Sequence, residues 1–146
     1  MKVENLRSPH LKTNQLFYVA RMFDKIRLHA QDKLPAVYVA NLGLGFDAKA
    51  CSFLRIRYEE LVKRVLQGGA DEELVQWCFV RGRTPTEGDI EMWNEWMRKF
   101  GWNDKGTARL RERLIESGFE DRIDVQTVFD YIDLDEERDP KNRSEG

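Results

Sequence analysis

Long apolar runs are absent from this sequence. Nothing approaches the roughly 18 residues of a membrane-crossing helix, and Met1–Ser8 is too polar for a signal-peptide core. These absences point to a cytoplasmic protein with no membrane partner. Cysteine is equally sparse. Cys51 and Cys78 stand among apolar neighbours, without the CxxC pairing of a zinc or redox motif, and read as reduced core thiols. The two histidines, His10 and His29, lie far apart with no carboxylate or thiol at metal-ligand spacing, so no metal site is expected. Asp32, three residues beyond His29, offers that residue only a surface pair. There is no Walker loop, and Gly43-x-Gly45 lacks the third glycine and the preceding strand of a dinucleotide fingerprint. No cofactor is implied.

What is present suits one ordinary globular domain. The 146 residues are 41% hydrophobic and 11% aromatic, enough to build a core, and 34% charged, enough to solvate it. The net charge of −2 conceals an asymmetry: residues 1–70 sum to +6 and residues 71–146 to −8. Opposite surfaces that attract within the fold, or between copies, account for this. The basic residues are scattered rather than clustered, which argues against a nucleic-acid surface.

Helical periodicity dominates the chain, and the fold class it predicts is all-α. The spacing gives a single domain over residues 1–134, with six or seven helices packed as an irregular bundle, and a polar, flexible tail over 135–146. The first helix is expected from Leu11 to Lys33, ended by Pro35. Ala36–Ala40 is β-rich but alone, and reads as a short extended segment. Asp47 is expected to cap a helix through Leu54, and Gly68-Gly69 to stop the Tyr58–Gln67 helix. Asp71 should cap the next, which carries Leu74, Trp77 and Cys78. Thr86-Glu-Gly-Asp89 has the form of a capping box, followed by Ile90, Trp93, Met97 and Phe100 on one core-facing stripe. Helices over Asp104–Ser117 and Asp124–Ile132 complete the reading. Arg109, Arg111 and Arg113 alternate and therefore spread over the last but one of these helices. Asp130, Asp133, Asp135, Glu136 and Glu137 read as a solvated acidic terminus rather than a cation loop.

The candidate site lies in the first helix. Leu16, Val19, Ala20, Phe23, Ile26 and Ala30 define its apolar stripe, and Arg27 falls inside that stripe with Asp24 beside it. A carboxylate and a guanidinium three residues apart can pair, and burying either alone is costly. Such a pair is either structural or the floor of a polar site.

The order of residues along most of the chain resembles domain-of-unknown-function family 5069, a group of small bacterial proteins. The resemblance rests on Arg7-Ser8-Pro9, Ala20-Arg21-Met22 with Asp24-Lys25 and Arg27, Asp47, and Gly69-Ala70-Asp71-Glu72-Glu73 with Trp77. It continues through Gly82, Glu87, Ile90, Trp93-Asn94, Phe129-Asp130, Ile132-Asp133, Asp135-Glu136 and Arg138. It implies a cytoplasmic bacterial protein and a helical fold, and it carries no catalytic residue, cofactor or substrate. It directs attention to the polar residues within the matching helices: Arg21, Asp24, Lys25, Arg27 and Asn94.

Those five residues are the candidate ligand-binding set. The first functional reading is a helical binding or protein-interaction module, in which Asp24 orients Arg27 and the guanidinium receives a carboxylate or phosphate. Its partner would be a protein, a small anionic ligand or a second copy of the chain. The alternative is a small enzyme with a polar site around Asp24 and Arg27. The absence of any catalytic constellation weighs against it, because an arginine-paired Asp24 is a poor acid. Nucleic-acid binding through the basic N-terminal half ranks last.

Overall fold

The computed structural model describes residues 1–143. Among them lie eight α-helices, more than the six or seven expected, and one two-stranded hairpin, so the all-α expectation holds with a higher helix count and one small β addition. The hairpin replaces the expected first turns of the long helix. Strand β1 (Lys12–Thr13) pairs antiparallel with β2 (Leu16–Phe17) across Asn14-Gln15, whose φ values of 48° and 70° suit a two-residue type I′ turn. Helix α1 (Val19–Ala30) begins only after Tyr18, which is itself at φ 80°. A residue in that conformation cannot continue a right-handed helix backwards, so the helix cannot start at Leu11.

The second correction concerns residues 36–40. Ala36–Val39 is a single helical turn, α2, opened by Pro35, and not an extended segment. Among the described residues no strand lies beside it to pair with, and the proline's fixed φ favours a helical start. Helices α3 (Phe46–Leu54), α4 (Tyr58–Leu66), α5 (Asp71–Arg81) and α6 (Glu87–Lys99) follow, then α7 (Thr107–Glu116) and α8 (Val128–Asp135). The capping box at α6 forms as expected: Thr86 Oγ1 accepts from the Asp89 amide at 3.0 Å, and the Asp89 carboxylate accepts from the Thr86 amide at 2.9 Å. Asp47 and Asp71 cap nothing. Each lies inside its helix, and each carboxylate is committed to a distant cation.

The main core gathers on α1. Leu16, Val19, Met22, Phe23 and Ile26 pack with Ala50, Leu54, Leu61, Val65, Leu74, Cys78, Trp93, Met97 and Phe129. Helix α1 is buried nearly all round, from Val19 to Ile26 and at Leu28, whereas Ala30 is exposed. Phe129 is the aromatic hub: its ring meets His10 at 5.1 Å, Phe46 at 5.8 Å and Phe17 at 6.0 Å. The polar tail does not hang free over its described part. Asp135 closes α8, Glu136 is buried, and a 3₁₀ turn over Pro140–Asn142 packs back on α8. Residues 144–146 of the expected tail lie outside the described residues.

Gly82 ends α5 against the turn that leaves α3. A Cβ there would lie 1.9 Å from the Leu54 carbonyl oxygen and 2.8 Å from that of Arg55. Arg83 then donates its amide to Leu54 O (3.1 Å) and stacks its guanidinium 4.6 Å from the Phe53 ring centre. Two backbone segments in contact cannot separate without breaking these bonds. Gly82→Ala is therefore expected to lower stability by about 3 kcal/mol, the upper range for overpacking, measured as the shift in urea midpoint.

Candidate functional site

Helix α1 carries four buried or half-buried charges, and they point in different directions. Asp24 faces the N-terminal segment. Its Oδ2 accepts from the Arg7 amide at 3.0 Å and from Arg7 Nε at 2.9 Å, while Oδ1 accepts from Arg7 Nη2 at 2.9 Å. Arg7 also reaches Asp71 at 2.7 Å, and Arg27 meets the other Asp71 oxygen at 3.0 Å. The Asp24–Arg27 contact singled out in the sequence exists, but at 3.6 Å it is the longest link of this four-residue square. Burial raises the Asp71 carboxyl, but its two arginines outweigh that and hold it below the ordinary range.

Arg21 and Lys25 face another side of the helix, although Arg21 Nη1 also donates to the Arg7 carbonyl at 3.1 Å. Arg21 makes a bidentate pair with Glu136, at 2.8 and 2.6 Å, and Tyr38 donates its hydroxyl to the same carboxylate at 2.9 Å. Lys25 Nζ lies 2.8 Å from Asp47 Oδ1 and donates to the Tyr18 hydroxyl at 2.9 Å. Tyr18 in turn donates to Asp47 Oδ1 at 2.5 Å, and Asp47 Oδ2 accepts from the Gly43 amide at 3.0 Å. Burial lowers the Lys25 ammonium below the usual lysine range despite the neighbouring Asp47, and burial followed by the Asp47 charge raises the Tyr18 phenol.

These two groups form part of the lining of a cleft of about 750 Å³. Tyr18, Arg21 and Lys25 contribute from α1, and Val37 to Phe46 form one wall. Residues of α7 and its lead-in, Lys105 to Arg113, form another, and α8 closes the end with Val128, Tyr131, Ile132 and Asp135 beside Glu136. Phe46 and Phe100 meet at 5.6 Å and give the cleft an aromatic side. The volume suits a small organic molecule.

Of the five sequence candidates, Arg21 and Lys25 line this cleft. Asp24, Arg27 and Asn94 do not. Asn94 instead clips the hairpin: its Oδ1 accepts from the Phe17 amide at 3.0 Å and its Nδ2 donates to Gln15 O at 2.7 Å. Trp93 Nε1 adds a bond to Phe17 O at 3.1 Å. Sequence reasoning missed Tyr18, Asp47, Lys105 and Glu136. A signal for Lys105 was available, because Lys105, Arg109 and Arg113 recur every four residues and would share one face of the expected Asp104–Ser117 helix. The partners of Tyr18 and Glu136 have no local signal, being 29 and 115 residues away.

The acidic terminus is solvated only in part: Asp133 and Glu136 are buried in ion pairs, Asp130 and Asp135 are half-buried, and Glu137 is exposed. Asp133 Oδ2 lies 2.9 Å from His10 Nδ1 and 3.1 Å from Arg143, and Arg138 bonds Glu136 at 2.9 Å and reaches the Leu6 carbonyl. The two thiols are inert by position: burial pushes both Cys51 and Cys78 up to about 12.

Two outcomes separate these roles. Asp24→Ala takes three hydrogen bonds from Arg7, which keeps Asp71, and is expected to cost about 1–3 kcal/mol in urea unfolding, whereas Arg27→Met stays within about 1 kcal/mol. The second outcome concerns acid. Burial raises the Glu136 carboxyl, but Arg21 and Arg138 outweigh it, so its folded value lies below its unfolded one. Its stabilisation is complete above about pH 4.3 and fades as pH falls through the lower folded value. Unfolding midpoints between about pH 7 and pH 3 should therefore fall less steeply in Glu136→Gln than in the wild type.

A comparison with curated proteins found no match. No helix among the described residues is long and apolar enough to cross a membrane. The model of the family described as Domain of unknown function (DUF5069) matches residues 3–138, nearly the whole chain, from the N-terminal segment that carries Arg7 to the Arg138 that closes on Glu136. The chain belongs to the DUF5069 family.

Proposed function

We propose that this protein is a helical binding module whose cleft receives a small anionic molecule with an apolar or aromatic body. The observation that carries this reading is the charge arrangement of the cleft. Lys105, Arg109 and Arg113 line one wall together, and among the described residues Lys105 and Arg113 make no ion pair. Arg109 is shared with Glu112 and Glu116 on its own helix. At the floor, Arg21 and Lys25 are balanced by Glu136 and Asp47. The excess positive charge therefore sits on the wall, where an entering anion would meet it before the apolar surface of Phe46, Phe100 and Leu110.

The pairing of the N-terminal cations supports this reading over nucleic-acid binding. Arg7, Arg21, Lys25 and Arg27 account for a third of the 12 basic residues in the first half of the chain, and each is committed to a carboxylate of the protein itself. Counterion release requires cations facing outward.

Phenyl phosphate and benzoate carry the required anion on an aromatic body, and isothermal titration reads their binding directly. Saturable binding to the wild type, weakened about tenfold or more in Lys105→Glu/Arg113→Glu, is the expected result; tenfold corresponds to about 1.4 kcal/mol. Binding that the double substitution leaves unchanged, or no binding of either probe at millimolar concentration, would refute it.

A further inference from the structure

We propose that Lys25 is a carbonyl-reactive amine, and that the cleft takes a small anionic aldehyde or ketone which Lys25 holds as an imine. The proposal rests on the anion-binding reading above and adds the chemistry of the floor. Three groups meet there: the Lys25 ammonium, the Asp47 carboxylate and the Tyr18 hydroxyl, each within 2.5 to 2.9 Å of the other two. Tyr18 and Lys25 both line the cleft, whereas Asp47 is fully buried behind them. A buried ion pair needs hydrogen bonds for its remaining protons, and the group that supplies one here also lines the cleft. Here a hydroxyl bridges the pair, completing a route by which a proton can pass between amine, carboxylate and a molecule in the cleft.

Two further observations fit a site rather than a strut. Tyr18 is held at φ 80°, a conformation unfavourable for an aromatic residue, and its amide is tied to Pro9 O at 3.0 Å. That backbone opens α1 and leaves the phenol beside Lys25, seven residues further along the helix. Asp47 is anchored from behind by the Gly43 amide, so its Oδ1 stays directed at the amine and the phenol. Burial also favours the neutral amine, which is the form that attacks a carbonyl.

The chemistry balances within these three groups. Lys25 first passes a proton to Asp47, which frees the nitrogen lone pair. The nitrogen attacks the carbonyl carbon; a C–N bond forms as the C=O π bond breaks, and the oxygen takes the Tyr18 proton, which Asp47 replaces. The nitrogen then returns a second proton to Asp47. Expulsion of the hydroxyl, protonated through Tyr18, releases one water and leaves a protonated imine beside the Asp47 carboxylate. Nothing is oxidised or reduced. The acid group of the bound molecule would face the Lys105 and Arg113 wall.

The test is reductive trapping. Protein is incubated separately with glyoxylate, pyruvate and pyridoxal 5′-phosphate, reduced with sodium borohydride, and read by intact mass and peptide mapping. The first two carry the acid group beside the carbonyl and the third carries it at a distance, so the arms distinguish the two kinds of ligand. One equivalent of adduct on Lys25 from at least one probe is expected. Lys25→Arg keeps the ion pair with Asp47 and should show no adduct, and Tyr18→Phe should slow trapping by about 10²-fold, as loss of general acid–base assistance does. Helical circular dichroism verifies that both variants are folded. An adduct on Met1, Lys49 or Lys105 that persists in Lys25→Arg would overturn the proposal. So would saturable binding of phenyl phosphate with no trapped Lys25, which leaves the anion-binding reading standing. Failure of both experiments removes both.

Discussion

Everything in this fold depends on one constraint: helix α1 is buried on nearly all sides and still carries Arg21, Asp24, Lys25 and Arg27. A charge removed from water must be matched by another charge or by hydrogen bonds, or it is too costly to keep. Each charge on α1 is matched by a residue from a different part of the chain. Asp24 draws in Arg7 of the N-terminal segment, and Arg27 draws in Asp71 of α5. Arg21 draws in Glu136 after α8, and Lys25 draws in Asp47 of α3. Apolar contacts give α1 its central place, while the ion pairs fix which segments surround it. Removing one partner exposes the other, so each pair acts more as a specifier of arrangement than as a source of net stability.

The C-terminal segment shows the same logic at a distance. Its acids would be an ordinary solvated run if α1 and the N-terminal segment did not present cations to them. Arg21 and Arg138 converge on Glu136, and His10 and Arg143 converge on Asp133. His10 is held there by ring contacts with Phe17 and Phe129 at 6.0 and 5.1 Å. Residues at opposite ends of the sequence thereby share one small polar layer over α8, with the Met1 ammonium adding a bond to the Asp135 carbonyl.

This also explains what the sequence could and could not reveal. Local patterns were legible: the α6 capping box, its Trp93 and Met97 core positions, and the helical character of most segments rest on contacts three or four residues apart. The hairpin was not, because Lys12, Thr13, Leu16 and Phe17 make too short a pattern to compete with helical spacing that runs on into α1. Arg21, Asp24 and Lys25 of α1 are buried, as their place among apolar positions predicts, yet the Asp24–Arg27 pair is the longest link of a square completed by Arg7 and Asp71. Spacing of three within a helix is visible in a sequence; a partner 17 or 44 residues away is not. The cleft was hidden for the same reason, since its lining comes from α1, α7, α8 and the Val37–Phe46 segment together.

The charges of α1 differ in what their pairing leaves open. Asp24 has both oxygens taken by the Arg7 fork, and Arg21 is locked in a planar, two-bond pair with Glu136 that Tyr38 and Arg138 complete. Asp24 lies outside the cleft, and the Arg21 guanidinium, although it lines the cleft, cannot give up a proton. Lys25 is different in kind. An ammonium has three protons on a rotatable stem, and only two are accounted for, by Asp47 and Tyr18. It therefore retains capacity on the side of the cleft, while its two partners are positioned to take and return a proton. The constraint that built the core commits Asp24 and Arg21 to fixed ion pairs but leaves Lys25 an uncommitted proton and partners that can exchange it. Where the pairing of a buried charge is sufficient but not saturated, the same residue can hold the fold together and still meet a ligand.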